Sequence, residues 1–286
     1  MNLSGRREST NVVDRRGSST GTKVGIGCGG IILILIVSLL TGNNPLELLQ
    51  RVSSQQGTTT EQTTHVSSAQ EDSLVVFTKK ILAATEDIWT QEFKKIGKTY
   101  QPPKLVLFTN SVQSGCGGAT SSVGPFYCSA DQTVYIDLSF FMTMKQQIGA
   151  DGDFAYAYVI AHEIGHHVQN QLGTLSAAHN KMAQVSQTES NKISVCIELQ
   201  ADYLAGVWAY HDNNRFKSLE DGDIEEGIAT AMKIGDDYLQ KQAYGYTVPE
   251  SFNHGTSEQR VRWLKKGLNS GDINGGDTFS VGYNNL

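Results

Sequence analysis

Apolar positions between Leu74 and Ile96, among them Val76, Ile81, Leu82, Ile88, Trp89 and Phe93, recur at the spacing of one helix face and predict a first long helix. Pro102 and Pro103 stop it. Leu105, Val106, Leu107 and Phe108 then form a short β-type run, and Thr133-Val134-Tyr135-Ile136-Asp137-Leu138 reads as another strand. Between the two lies a glycine-rich stretch from Gly115 to Cys128, read as a loop. Past the second strand the pattern is helical to about Gln242, broken by polar stretches near Asn170 to Gly173, Asp212 to Asn214 and Asp221 to Asp223. The last thirty or so residues, rich in Gly, Asn and Asp, read as irregular surface chain. The expected class is α+β, mainly helical, with a small β-sheet.

Ahead of that domain the pattern changes. Arg6, Arg7, Arg15, Arg16 and Lys23 precede an uncharged run that includes Ile31, Ile32, Leu33, Ile34, Leu35, Ile36 and Val37. Basic flank and apolar run predict one N-terminal transmembrane helix over residues 24–41, with residues 1–23 as a basic cytoplasmic tail and the rest of the chain translocated. A cleaved signal peptide is the competing reading, but no small-x-small cleavage site follows cleanly. Residues 42–70 are polar and threonine-rich, the composition of a flexible linker, and residues 71–286 are expected to form the one folded domain. The expected location is therefore the membrane, single-pass, with that domain extracytoplasmic.

Charge adds little: 23 Lys and Arg against 29 Asp and Glu give a mildly acidic chain with no basic stripe, which argues against a nucleic-acid partner. The four cysteines form no CxxC pair, so a cysteine zinc knuckle is not expected. Cys116 and Cys128 flank the glycine-rich stretch and would close a short loop by a disulfide in an oxidising compartment, leaving Cys196 without an obvious partner.

The chemistry is concentrated in Tyr158-Val159-Ile160-Ala161-His162-Glu163-Ile164-Gly165-His166-His167-Val168, which contains H-E-x-x-H. His162 and His166 lie four positions apart and project from one helix face, as two ligands of a tetrahedral zinc require. Glu163 lies beside that face, where its carboxylate can reach water at an open coordination position without displacing it; that is a general-base position. His167 points away from the metal face.

A catalytic zinc has three protein ligands and an open fourth position. His179 and His211 are candidates for the third, but Glu198 is preferred because it lies in a helical segment, Cys196 to Gly206, whose small residues permit close helix packing, and Asp202 follows one turn later on the same face. There Asp202 can accept the second ring N–H of a ligand histidine. Hydrolysis passes through an oxyanion that needs a donor, for which His254 is the candidate and Arg260 the runner-up. Beside this stands a structural reading, with Thr256 or Ser257 as a helix N-cap and His254 and Arg260 tying the final helix down.

With these residues the chain resembles the bacterial neutral zinc metallopeptidases, membrane-anchored HExxH proteins. The likeness runs from about Leu74 to Phe279, through Ser114-Gly115-Cys116-Gly117, Gly124 to Cys128, Val134 to Leu138, Ala161 to Gln169, Glu198 to Asp202, Ile234 to Asp237 and His254 to Arg260. The resemblance implies a zincin-like, gluzincin-type domain with Glu198 as third ligand and the strand around Tyr135 aligning substrate. The family often carries cysteines where this chain has Tyr203 and Gly276, so a second disulfide is not expected. The expected activity is a zinc-dependent endopeptidase with a peptide or protein substrate. A zinc hydrolase of another amide, or an inactive zinc-binding envelope module, are the alternatives; a purely structural zinc would have no use for Glu163.

Overall fold

The computed structural model describes residues 1–17 and 68–286. Helix α1 (Ala69–Lys95) starts at a capping box, in which Ser68 Oγ accepts from the Glu71 N–H and the Glu71 carboxylate accepts from the Ser68 N–H. Its buried stripe includes Ile81, Leu82, Ile88, Trp89 and Phe93, as their spacing predicts, whereas Val76, expected on the same face, is exposed.

Four strands form one sheet in the order β1-β2-β6-β5: β1 (Val12–Asp14), β2 (Lys104–Phe108), β6 (Thr133–Asp137) and β5 (Phe126–Cys128). The first three are parallel and β5 runs antiparallel to β6. Both faces are covered. Leu105, Leu107, Val134 and Ile136 enter the main core, while Val106, Phe108 and Tyr135 fill a smaller cluster behind it. Strands buried on two faces read as unbroken apolar runs, which is why the sequence marks β2 and β6 clearly.

The glycine-rich stretch departs from expectation. It overlaps a hairpin, β3 (Ser111–Ser114) with β4 (Gly117–Thr120), and the edge strand β5, and Cys116 is joined to Cys128 by a disulfide. Glycines carry no alternating pattern, so these strands leave little trace in the sequence.

The helices that follow are α2 (Ser139–Thr143), α3 (Asp153–Leu172), α4 (Thr174–Met182), α5 (Gln187–Phe216), α6 (Asp223–Lys233), α7 (Asp236–Tyr244) and α8 (Ser257–Ser270). Gly173, at φ 85°, makes the turn between α3 and α4 that the sequence places near Asn170 to Gly173. No break occurs near Asp212: α5 continues to Phe216, because Asp212 is buried against Arg6 and Ser218 instead of facing water. The closing residues are more ordered than expected, since α8 occupies Ser257–Ser270 behind a Thr256–Gln259 capping box. Helix α3 lies at the centre, against α1, α5 and α6, and α5 packs along α8.

Residues 1–17 pack onto the folded domain. Strand β1 pairs with β2, Val12 opposite Leu105 and Asp14 opposite Leu107. Leu3 is buried in the main core, and Ser9, Asn11 and Arg7 converge on the buried carboxylate of Glu86 at 2.6, 2.7 and 2.8 Å. Arg6 lies 2.8 Å from Asp212. The arginines expected in a separate cytoplasmic tail over residues 1–23 are thus, at Arg6 and Arg7, ion partners of the domain. No helix among the described residues is long and apolar enough to cross a membrane. The expected span over residues 24–41 and most of the expected linker over residues 42–70 lie outside the described residues.

Candidate metal centre

Helix α3 is buried on nearly every side, and its apolar residues, from Phe154 through Tyr158 and Ile160 to Val168, wedge it between the sheet and α5. A rigid, dry helix of this kind fixes the direction of every side chain it carries. At Gly165 the two helices nearly touch, and a Cβ there would lie 3.0 Å from the carbonyl oxygen of Ala201 and 3.1 Å from its Cα. Gly165, between Glu163 and His166, and Ala201, between Glu198 and Asp202, therefore let the HExxH face of α3 meet the carboxylates of α5.

The meeting brings His162, His166 and Glu198 together, with one ligand atom from each within 4.8 Å of the others. Glu198 Oε2 lies 3.1 Å from His162 Nε2, and Oε1 lies 3.6 Å from His166 Nε2. Ligand atoms about 2.0–2.1 Å from a tetrahedral zinc stand about 3.3 Å apart, so the donor set fits that ion. Of the other candidate third ligands, His211 bonds the Gly271 carbonyl through Nε2 at 2.7 Å, and neither it nor His179 belongs to the group.

Each histidine is held from behind by its Nδ1, which leaves Nε2 facing Glu198. His162 Nδ1 lies 2.8 Å from Asp202 Oδ1, the contact expected of Asp202. His166 Nδ1 lies 2.9 Å from Gln169 Oε1, and Gln169 in turn donates to the Ile197 carbonyl and to Gln200. Gln169 escapes the sequence reading, although its position three residues after His166 on the same helix is the signal that could find it. His167 faces away, fully buried, 3.0 Å from Tyr127 Oη and 2.7 Å from the Gln101 carbonyl.

Burial by itself would keep His162 neutral, but the charges of Asp202 and Glu198 outweigh it and push the imidazole up to about 10 in the absence of metal. Burial likewise opposes ionisation of Glu198, yet His166 and His162 hold its carboxyl far below the usual range. Asp202 is brought down to about 2, against burial, by Arg260 and His162. Glu163 differs in kind: burial raises its pKa and the flanking histidines only partly counter this.

His254 sits on the loop before α8. Its Nδ1 lies 3.1 Å from Asp236 Oδ1, and Asp236 Oδ2 accepts the backbone N–H groups of Asn253, His254 and Gly255 at 2.7–3.0 Å. His254 is near enough to Glu198 to exert an electrostatic pull on it. Arg260, the alternative oxyanion donor, is instead buried on Asp202. Thr256 does cap α8, as the structural reading has it. Strand β6 around Tyr135 is interior, paired with β2 and β5, and among the described residues the sheet ends on this side at β5. Tyr203 and Gly276 touch, with no space for a Cβ on Gly276 beside the tyrosine ring.

The chain is 49% identical over 286 residues to "Uncharacterized protein YpfJ" of Escherichia coli K12, covering 98% of this chain and 99% of that protein. It is 44% identical over 192 residues to "Uncharacterized protein Rv2575" of Mycobacterium tuberculosis H37Rv, 64% of each chain. No solved structure matches. The family model described as "Putative neutral zinc metallopeptidase" matches residues 1–279, and the chain belongs to that family, whose metal is zinc.

Proposed function

We propose that the protein is a zinc-dependent endopeptidase in which His162, His166 and Glu198 hold the metal, Glu163 is the general base and His254 steadies the oxyanion. The observation that carries this reading is the convergence of the three ligand atoms beside a buried carboxylate that is not one of them. A closed structural zinc site would need a fourth ligand and no base.

Zinc bound there supplies a Lewis acid that acidifies water and polarises a carbonyl. Glu163 takes a proton from the attacking water as the water oxygen bonds to the carbonyl carbon. The same carboxyl then gives that proton to the amide nitrogen, and the C–N bond breaks. Its raised pKa suits both halves of this exchange. Asp236 accepts from Nδ1–H of His254 and, against burial, favours the protonated imidazole, whose Nε2–H is then the edge that donates to the oxyanion. The edge of β5, which among the described residues pairs on one side only and packs against the helix α3 that carries Glu163, supports an extended peptide as substrate. The Cys116–Cys128 disulfide supports an oxidising, extracytoplasmic setting for the domain.

The test is Glu163→Gln in the full chain, assayed on a reduced and alkylated protein substrate with zinc content measured in parallel. Loss of cleavage with about one zinc retained per chain is expected. Cleavage at the parental rate would refute the assignment.

A further inference from the structure

Asp202 has no exposure to solvent, and its two oxygens receive four donors from three side chains. Oδ1 takes Tyr158 Oη at 2.6 Å, His162 Nδ1 at 2.8 Å and Arg260 Nη2 at 2.9 Å. Oδ2 takes Arg260 Nε at 2.8 Å. Arg260 is itself 4% exposed and anchored, with Nη1 3.3 Å from the Ile234 carbonyl and Nη2 3.3 Å from Tyr158 Oη.

A histidine that ligates zinc is neutral. In that state His162 gives Asp202 a hydrogen bond but no charge, so among the described partners of Asp202 only the guanidinium neutralises it. A buried carboxylate stripped of its charge partner is strongly disfavoured. It would turn or recruit water, and His162 would lose the contact that fixes its tautomer. The two-point grip of Arg260 also sets the plane of the carboxylate, which a single ammonium cannot do.

We propose that Arg260 is a positioning residue for the metal site: its guanidinium fixes and neutralises Asp202, which in turn holds His162 with Nε2 toward Glu198. The inference rests on the ligand set proposed above and concerns metal affinity, not the chemical step. It removes Arg260 from the oxyanion role and ties the final helix to the metal through one ion pair.

The experiment titrates zinc into the metal-stripped full chain against a chromophoric chelator. Arg260→Lys keeps the charge and loses the fork; it is expected to weaken zinc binding about tenfold, the lower end for loss of an outer-shell partner. Asp202→Asn should weaken it too, and adding Arg260→Lys to Asp202→Asn should weaken it no further. Binding by Arg260→Lys within twofold of the parent, or full additivity in the double variant, overturns the proposal. Should Arg260→Lys fail to fold, Arg260→Gln is combined with Asp202→Asn, which leaves no unpaired buried charge, and titrated against Asp202→Asn alone; equal affinity supports the proposal and further weakening overturns it. A parent chain that binds zinc and cleaves nothing contradicts the proposed activity and leaves this inference standing.

The pairing of β1 with β2 carries a second, independent inference. A bilayer core is about 30 Å thick, and backbone hydrogen bonds cannot span it. We infer that residues 1–17 and 68–286 occupy one compartment, which excludes a tail on one side of a membrane and the catalytic domain on the other. Cysteine labelling in intact cells tests this, using Glu8→Cys and Glu250→Cys separately in a Cys28→Ser background with a membrane-impermeant maleimide. Both sites label, or both are protected until lysis; labelling of one alone overturns the inference.

Discussion

Gly267 of α8 lies directly on Gly206 of α5: a Cβ on Gly267 would stand 3.0 Å from the Gly206 Cα and 2.0 Å from the Tyr203 carbonyl oxygen. Two helix backbones meet there with nothing between them, and neither can yield without moving the other. Since α8 carries Arg260 and α5 carries Asp202, the same contact sets the distance across which those side chains pair. Gly267→Ala is expected to cost about 3 kcal/mol in chemical denaturation, at the upper end of the range for overpacking. The surviving folded fraction should bind zinc more weakly. Parental stability would mean that the helices separate more easily than their packing implies.

Sequence spacing makes the candidate metal group legible because it is local: His162, Glu163 and His166 share one helix, and Glu198 and Asp202 share another. Helical periodicity places each set on a face. What spacing cannot reveal is which elements meet. Asp236 and His254 come from different segments and Tyr158 pairs with Arg260 from 102 residues away, so neither contact has a periodic signature. Strand β1 was hidden for another reason. Its arginines resemble the basic flank of a membrane segment, and only the positions of Glu86 and Asp212 in the fold show what those arginines neutralise.

Zinc binding should be coupled to proton release. With His162 raised to about 10 in the metal-free chain, the imidazole is protonated at neutral pH, and zinc must displace that proton to bind. Affinity is therefore expected to rise with pH, by about tenfold per unit for one displaced proton, and to level off as the metal-free group titrates. Calorimetry in buffers of different ionisation enthalpy measures the protons released. No release at pH 7 would show that His162 is already neutral there.

The His254 loop hangs on Asp236. Removing that carboxylate leaves three backbone N–H groups and one imidazole without their acceptor, so Asp236→Ala is expected to cost about 3 kcal/mol. Burial works against both charges, but each partner overcomes it for the other: Asp236 is lowered and His254 is raised. A lowered carboxylate stabilises the fold above its unfolded pKa, about 3.9, and loses that contribution as pH falls through the folded value. A raised histidine stabilises below its unfolded pKa, about 6.5, and loses that contribution as pH rises through the folded value. The loop is thus held most firmly between about 3.9 and 6.5. Thermal midpoints across pH should show the parent losing stability above that window and Asp236→Asn losing less; equal slopes would rule out the pair as the source.

Deleting residues 1–17 should damage the domain more than trimming a loose tail would. Glu86 would lose Ser9, Asn11 and Arg7, and Asp212 would lose Arg6, leaving two carboxylates in the interior with few or no partners. Strand β2 would become an open, apolar edge, which invites pairing with other chains. Leaving one buried charge uncompensated costs about 3–5 kcal/mol, and two such losses approach the whole stability of an ordinary domain. The truncated chain is therefore expected to be aggregated or protease-sensitive, whereas Arg6→Lys, which keeps the charge beside Asp212, should fold with a modestly lowered thermal midpoint. A truncated chain with the parent's midpoint and solubility would show that β1 rests on the domain without supporting it.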